Sequence, residues 1–420
     1  MRIRLALWAV VAALGAGTGA FTAAPASGRP DAPPAGGAPA STDFHPTALQ
    51  RSLDDVHRAG VPGVFAEVRN DGRTWRGASG VADVATGRPV RADMRHRVGS
   101  ITKTFTAAAV LQQVERGRIR LDAPVGDHLP DVVPGERGRK ITVRMLLHNT
   151  SGIPDYLPYA FPSLQGFPDR LDVSTRSLDD NRFRTFRPAE LIDMGLSAPP
   201  VGEPGGSTGV YSNTNWLILG ELLERVTEMP AEEYITRNVI ERAGLRHTGF
   251  PTGPHVEGPH PRMYESFYGL VDPPRDYSVY DASWVGTAAA LVSTMDDLNR
   301  FYARLLTGDI VSRASLDEMK RTVPARALDG SPIQYGLGLH RFDLPCGTFW
   351  GHDGTVWGAG TMSMSSADGK RQMSVAVNLI RWNEPDASGK PQPHPIDGAM
   401  RAFTLRALCG TAPTVPDALP

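Results

Sequence analysis

Lysine is nearly absent from this chain. It stands at five of 420 positions, 103, 140, 320, 370 and 390, while Lys and Arg together number 44. Arginine therefore supplies almost all the positive charge. Arg stays protonated at any accessible pH, whereas a buried Lys can release its proton and act as a base. Charge of one sign is lacking too. The formal net charge is −1 and acidic and basic residues are mixed along the chain, which argues against nucleic acid or an anionic membrane surface as a partner. Long apolar runs are missing. Leu5 to Leu14 is far short of the roughly 20 residues that a membrane span needs. With Arg2 and Arg4 before it and Ala24-Pro-Ala26 after it, this run reads as the core of a signal peptide over 1–26, and the protein is expected to be secreted. No cysteine lies near it, so no lipid anchor through an N-terminal Cys is expected. The only cysteines are Cys346 and Cys409. In an oxidising compartment such a pair reads as one disulfide, closing a loop of about 60 residues worth roughly 4 kcal/mol in the chain-entropy model. The rival, a catalytic thiol, lacks a helix start or a His-rich setting to activate it.

Residues 27–45, rich in Pro, Ala, Gly and Ser, read as a flexible linker. One domain is expected over 46–412, with 413–420 a tail. Ala48 to Ala59 has the pattern of an amphipathic helix. Gly63 to Val68 and Thr74 to Ala78 read as strands around the turn Asn70-Asp-Gly72. Ser100 opens a helical run to about Arg116. From roughly 120 to 330 the periodicity is mainly helical, broken by Pro/Gly-rich loops. Tyr335 to Phe342 is strand-like, Thr361 to Ser366 and Gln372 to Leu379 form a hairpin around Asp368-Gly369, and a helix over about Asp397 to Leu408 closes the chain. The expected fold is α+β: an antiparallel sheet built from both termini, flanked by helices, with an inserted all-helical lobe. The cleft between the two is the natural ligand site. There is no internal repeat.

Three short motifs carry chemistry. Ser100 and Lys103 lie three apart on one helix face. A helix start favours negative charge, which suits an alkoxide and an oxyanion. A solvated helix surface is the bland alternative, but the flanking Ile101, Phe105, Ala107 and Val110 say that this helix is buried, and a buried Lys is paired or deprotonated. In Tyr211-Ser-Asn213 the phenol can relay a proton once a neighbouring ammonium lowers its pKa, and Asn213 can hold the lysine head. In Gly351-His-Asp-Gly-Thr-Val-Trp357 the glycines would let a ligand approach the backbone. The Ser100 and Thr355 N–H groups would form an oxyanion hole.

Together, in this order and more than 100 residues apart, the motifs resemble those of the penicillin-recognising serine hydrolases: Ser-x-x-Lys, Tyr-x-Asn and a Lys- or His-x-Gly strand. The resemblance runs from about 45 to 410 and is closest to the secreted actinobacterial D-alanyl-D-alanine carboxypeptidase/transpeptidase type. Leu146-Leu-His-Asn-Thr-Ser-Gly152, Tyr335-Gly-Leu-Gly-Leu339 and Asp343-Leu-Pro-Cys-Gly347 also match, and a disulfide between Cys346 and Cys409 is implied. By resemblance Ser100 is the acylated nucleophile, and Lys103 and Tyr211 share the acid and base work. Asn213 and His352 complete the centre, and Trp284, Gly354 and Thr355 line the substrate. A small D-Ala-type peptide or cell-wall-like substrate is implied, with β-lactams as acylating inhibitors, no cofactor, no metal and a monomer.

Two departures bear on substrate. Asp353 stands where carboxypeptidases carry Thr or Ser to donate to the substrate's terminal carboxylate. His340 stands where a strand Arg meets the same group, and Arg341 next door points to the opposite face of a strand. The resemblance as a whole implies a secreted D-alanyl-D-alanine carboxypeptidase-like serine hydrolase; these two changes favour the alternative, an esterase, amidase or D-aminopeptidase acting on substrates without a free carboxylate. Elsewhere, Gly205-Gly-Ser-Thr-Gly209 fits Gly-x-Ser-x-Gly but follows a loop rather than a buried strand, so Ser207 reads as a turn residue. His255 and His260 lack metal-site spacing. His148 reads as structural. A non-catalytic binder on this fold would have lost Ser100, Lys103 or Tyr211; all three are present.

Overall fold

The computed structural model describes residues 44–165, 174–386 and 391–410. The segment read as a signal peptide, nearly all of that read as a linker and that read as a tail lie outside them. Helix α1 (Pro46–Arg58) starts with Pro in its first turn and buries the stripe Leu49, Leu53 and Val56. Strands β1 (Gly63–Asn70) and β2 (Arg73–Asp83) pair from Asn70↔Arg73 onward. Asp71 and Gly72 form the two-residue loop with φ of 47° and 82°, the positive values that such a turn demands. Then come β3 (Arg88–Pro89), α2 (Thr102–Glu115), β4 (Gly209–Val210), α3 (Asn213–Thr227) and α4 (Met295–Thr307). The chain ends with β5 (Val323–Arg326), β6 (Pro332–Tyr335), β7 (His340–Leu344), β8 (Gly347–Val356), β9 (Ala359–Ser366), β10 (Arg371–Val377) and α5 (Pro395–Cys409).

These ten strands form one sheet in the order β3-β2-β1-β10-β9-β8-β7-β6-β5-β4. Every neighbouring pair is antiparallel except β4 with β5. The β1–β10 pairing, Val64↔Val377 to Asn70↔Arg371, joins the N-terminal and C-terminal parts of the chain. The fold is thus the expected α+β arrangement. In β1, Val64, Ala66 and Val68 face one core with Leu53 of α1 and Phe403 of α5, while Phe65 faces the other with Phe105 of α2 and Phe301 of α4. Helix α2 is buried from Thr102 to Gln113, and its buried polar side chains find partners inside: Thr104 Oγ1 donates to the Gly338 carbonyl oxygen at 2.8 Å and Thr106 Oγ1 to that of Thr287 at 2.8 Å. Its Phe105 ring stacks on Phe301 with centroids 3.7 Å apart. Cys346, between β7 and β8, is disulfide-bonded to Cys409 at the end of α5.

One expected strand breaks. Tyr335 to Phe342 is a hairpin, not a single strand: β6 ends at Tyr335, β7 begins at His340, and Tyr335 pairs with His340. Gly338 turns the chain at φ 70°, and a Cβ there would lie 2.6 Å from the Ala107 Cβ and 3.0 Å from the Lys103 carbonyl oxygen. Tight seating on α2, rather than strand pairing, buries Leu337 and Leu339. Between α2 and β5 the chain is mostly helix and loop but not the all-helical lobe expected: besides β4 it holds two-residue strands at Tyr264–Glu265, Arg275–Asp276 and Val292–Ser293.

Candidate active site

Ser100 sits in a single 3-10 turn, Gly99–Ile101, that leads into α2. Gly99 has φ 56°, and a Cβ on it would come 2.5 Å from the Thr355 backbone nitrogen. A Cβ on Gly354 would come 1.9 Å from the Val98 carbonyl oxygen and 2.8 Å from the Ser100 nitrogen. The two glycines thus let β8 lie directly against the Ser100 turn, which puts the Ser100 and Thr355 backbones side by side. The glycines of this motif admit protein backbone: a Cβ on Gly351 would meet the Ser363 carbonyl oxygen of β9 at 1.9 Å.

Lys103 is fully buried. Its Nζ lies 2.9 Å from Ser100 Oγ, 2.7 Å from Asn213 Oδ1 and 3.0 Å from the Ala288 carbonyl oxygen. Burial pulls its pKa down to about 7, against the opposing pull of Asp155 and Asp353. A neutral amine there can donate to Asn213 and Ala288 and turn its lone pair to the Ser100 hydroxyl, the arrangement that a general base needs.

Asn213 opens α3, and its orientation is fixed by a residue that the sequence reading missed. Asp155 Oδ2 accepts from both the Asn213 backbone N–H and its Nδ2, each at 2.7 Å, and Asp155 Oδ1 accepts from the Leu157 N–H at 2.8 Å. With Nδ2 held by Asp155, Oδ1 must face Lys103. Burial pushes the Asp155 carboxyl up, while the three N–H donors and Lys103 hold it down. One signal could have found it: Asp155 is the sole acid between Leu146 and Leu157. The same segment braces the Tyr211 loop, for Asn149 Oδ1 accepts from the Ser212 N–H at 3.2 Å and from Asn215 Nδ2 at 3.1 Å.

The Tyr211 ring lies 4.8 Å from Lys103 Nζ. The expectation of a lowered phenol pKa fails: burial pushes it well above the ordinary value, and the Ser100 hydroxyl only partly offsets this. Tyr211 is suited to pass on a proton, not to act as a resident phenolate. His352 on β8 is buried, with Nε2 3.1 Å from the Tyr335 hydroxyl. Burial, with the nearby His340 and Lys103, keeps it neutral. His340 Nδ1 faces Asp353 Oδ1 at 3.4 Å. Arg341 points outward and pairs with Asp343 at 3.1 Å. Asp353 keeps a quarter of its side chain accessible, and burial pushes its pKa up to about 6. Trp284 is buried and stacks on Trp357, just past β8, with centroids 4.4 Å apart. Its neighbours include Phe161 and Tyr280.

The remaining candidates lie apart from this chemistry. Ser207 is an exposed loop residue. His148 Nε2 contacts the Arg321 carbonyl oxygen at 3.0 Å, a tie between loops. His255 is exposed, and His260 Nδ1 contacts the Gly258 carbonyl oxygen at 2.8 Å.

Residues 49–393 match the family described as Beta-lactamase. The chain belongs to that family. Among curated relatives, Esterase EstB of Burkholderia gladioli is 33% identical over 224 residues, 50% of this chain and 54% of its own length. Three further relatives are matched over 60% of theirs. Penicillin-binding protein 4 of Amycolatopsis lactamdurans is 28% identical over 82% of this chain and 93% of its own. Among solved structures, a D-stereospecific amidohydrolase from Streptomyces sp. superposes with a TM-score of 0.73 at 33% identity, covering 88% of this chain and all of that one. That family is the one to which the three motifs point, the penicillin-recognising serine hydrolases. No helix among the described residues is long and apolar enough to cross a membrane.

Proposed function

We propose that this protein forms an acyl-enzyme at Ser100 and hydrolyses D-amino-acid-type amides, esters or peptides whose leaving side carries no free carboxylate. Asp353 carries the reading. An acceptor carboxylate, backed by His340 Nδ1 at 3.4 Å, stands where a carboxypeptidase needs a donor, and the adjacent cation, Arg341, is turned away onto Asp343. Losing a charge-assisted bond of this kind costs about 1.5–3 kcal/mol, a factor of ten or more in specificity. Similarity to the D-stereospecific amidohydrolase supports the D configuration.

Neutral Lys103 takes the proton of the Ser100 hydroxyl as Oγ bonds to the substrate carbonyl carbon. The oxyanion rests on the Ser100 and Thr355 N–H groups. The C–N or C–O bond breaks as the Tyr211 hydroxyl protonates the leaving group, and the Lys103 ammonium restores the phenol proton. Water then attacks the acyl-Ser100 ester by the same groups in reverse. The N-terminal Arg2, Arg4 and Leu5–Leu14 pattern supports a secreted enzyme. Steady-state rates on a D-Ala-D-Ala peptide, its C-terminal amide and its methyl ester test the assignment. The amide and ester should be favoured at least about tenfold at pH 8; a preference for the free acid overturns it.

A second reading, D-alanyl-D-alanine carboxypeptidase with β-lactams as acylating inhibitors, is favoured by the similarity to penicillin-binding protein 4 and by the raised Asp353 pKa. A protonated Asp353 can donate to a carboxylate as Thr would. Under this reading the free acid gains on the ester as pH falls through about 6.

A further inference from the structure

His340 is a buried histidine whose surroundings do not satisfy it. Its Nδ1 meets Asp353 Oδ1 at 3.4 Å, too long for a good hydrogen bond; with the ring proton on Nε2, which has no hydrogen-bond partner among the described residues, the Nδ1 lone pair faces the carboxylate with nothing between them. Its ring lies against that of His352 with centroids 4.1 Å apart, and His352 Nδ1 is 3.8 Å from the same carboxylate oxygen. One ligand atom from each of His340, His352 and Asp353 lies within 4.8 Å of the other two. We infer that these three side chains form a site for one divalent transition metal of the Zn2+ type, which acts as an inhibitor of the acylation centre rather than as a cofactor.

The chemistry of the set fits. Two imidazoles and a carboxylate suit Zn2+, Co2+ or Ni2+ better than Mg2+ or Ca2+. Ligands about 2.0–2.2 Å from a tetrahedral Zn2+ stand roughly 3.3–3.6 Å apart, which the His340–Asp353 separation already matches and the His352–Asp353 separation nearly does. Both imidazoles are buried, so a cation bound there is shielded from competing water. The Tyr335 hydroxyl at His352 Nε2 can accept that N–H, which leaves Nδ1 as the ligand atom, the outer-partner device common at histidine metal sites. In exchange His352 Nδ1 gives up its contact with the Asp353 carbonyl oxygen. Inhibition follows from position. The ligands sit on β8 and β7, and β8 continues at Gly354 and Thr355 into the strand segment against Ser100. A cation there ties up the substrate-facing side of β8 and opposes the Lys103 ammonium that acylation generates.

The site is tested on the full chain after removal of metals with EDTA. Calorimetry should find one Zn2+ per chain, Co2+ should give visible ligand-field absorption, and turnover lost on adding Zn2+ should return with EDTA. His340→Phe keeps a ring in the cavity and should weaken Zn2+ binding about 100-fold, and Asp353→Asn at least tenfold. Ser100→Ala should bind Zn2+ as tightly as the parent, which separates this proposal from the fate of the acyl-enzyme reading. Zn2+ affinity unchanged in His340→Phe and Asp353→Asn overturns the proposal, as does an anomalous diffraction signal for bound Zn2+ at any other histidine. Should His340→Phe fail to fold, Asp353→Asn and the diffraction signal still decide.

Discussion

Replacing Asp155 with Asn tests the electrostatic design of the site. In the parent, Lys103 is the base only when neutral, so kcat/KM should rise with pH through about 7, the depressed lysine pKa. Asp155 favours the charged form of Lys103 and connects to it through the Asn213 amide, by hydrogen bonds of 2.7 Å on either side. Carboxylate and ammonium are thus about 7 Å apart, and at an effective dielectric of about 20 their attraction is on the order of 2 kcal/mol. Asp155→Asn removes that attraction, the ammonium becomes less stable, and its pKa falls. The rising limb should move about one to two units towards acid, so that at pH 6 the variant retains a larger fraction of its own plateau rate than the parent does. The plateau itself should fall if the Asn213 amide is no longer held with Oδ1 towards Lys103. The assay is kcat/KM on an activated ester from pH 5 to 9. A limb that stays in place, or moves to higher pH, refutes the coupling.

Other perturbations have defined outcomes. Asp353→Thr should raise the rate on the free-acid peptide relative to its ester about tenfold or more, read by paired steady-state assays. Phe105→Ala removes the ring stacked on Phe301 and should cost about 3–5 kcal/mol of unfolding free energy by denaturant titration. Replacing both Cys346 and Cys409 with Ser opens the loop between them and should cost at most about 4 kcal/mol, lowering Tm while leaving the 25 °C ester rate near that of the parent. Gly338→Ala puts a methyl 2.6 Å from Ala107 at φ 70° and should lower Tm.

The parts of the site legible in the sequence are those set by local chemistry. A lone lysine one turn from a serine in a buried helix, and the Asn-Asp-Gly turn between two alternating runs, need no tertiary information. Asp155 was hidden because its role exists only once α3 docks against the 149–157 segment. The Tyr335–Phe342 break was hidden because Leu337 and Leu339 alternate as in a strand while two glycines let them bury in a turn on α2. The Tyr211 phenol is pushed up, not down, because burial outweighs the hydrogen bond with the Ser100 hydroxyl, a matter of packing that spacing does not encode. His340 and Asp353, 13 residues apart in sequence, meet only through the β7–β8 register.

The central claim, a covalent acyl group on Ser100, is tested most directly by mass spectrometry of the full chain quenched during turnover of an activated D-amino-acid ester. The account predicts a mass increase equal to one acyl group, located by peptide mapping to the segment containing Ser100 and absent in Ser100→Ala. An acyl group on any other residue, or turnover by Ser100→Ala at the parent's rate, would contradict it.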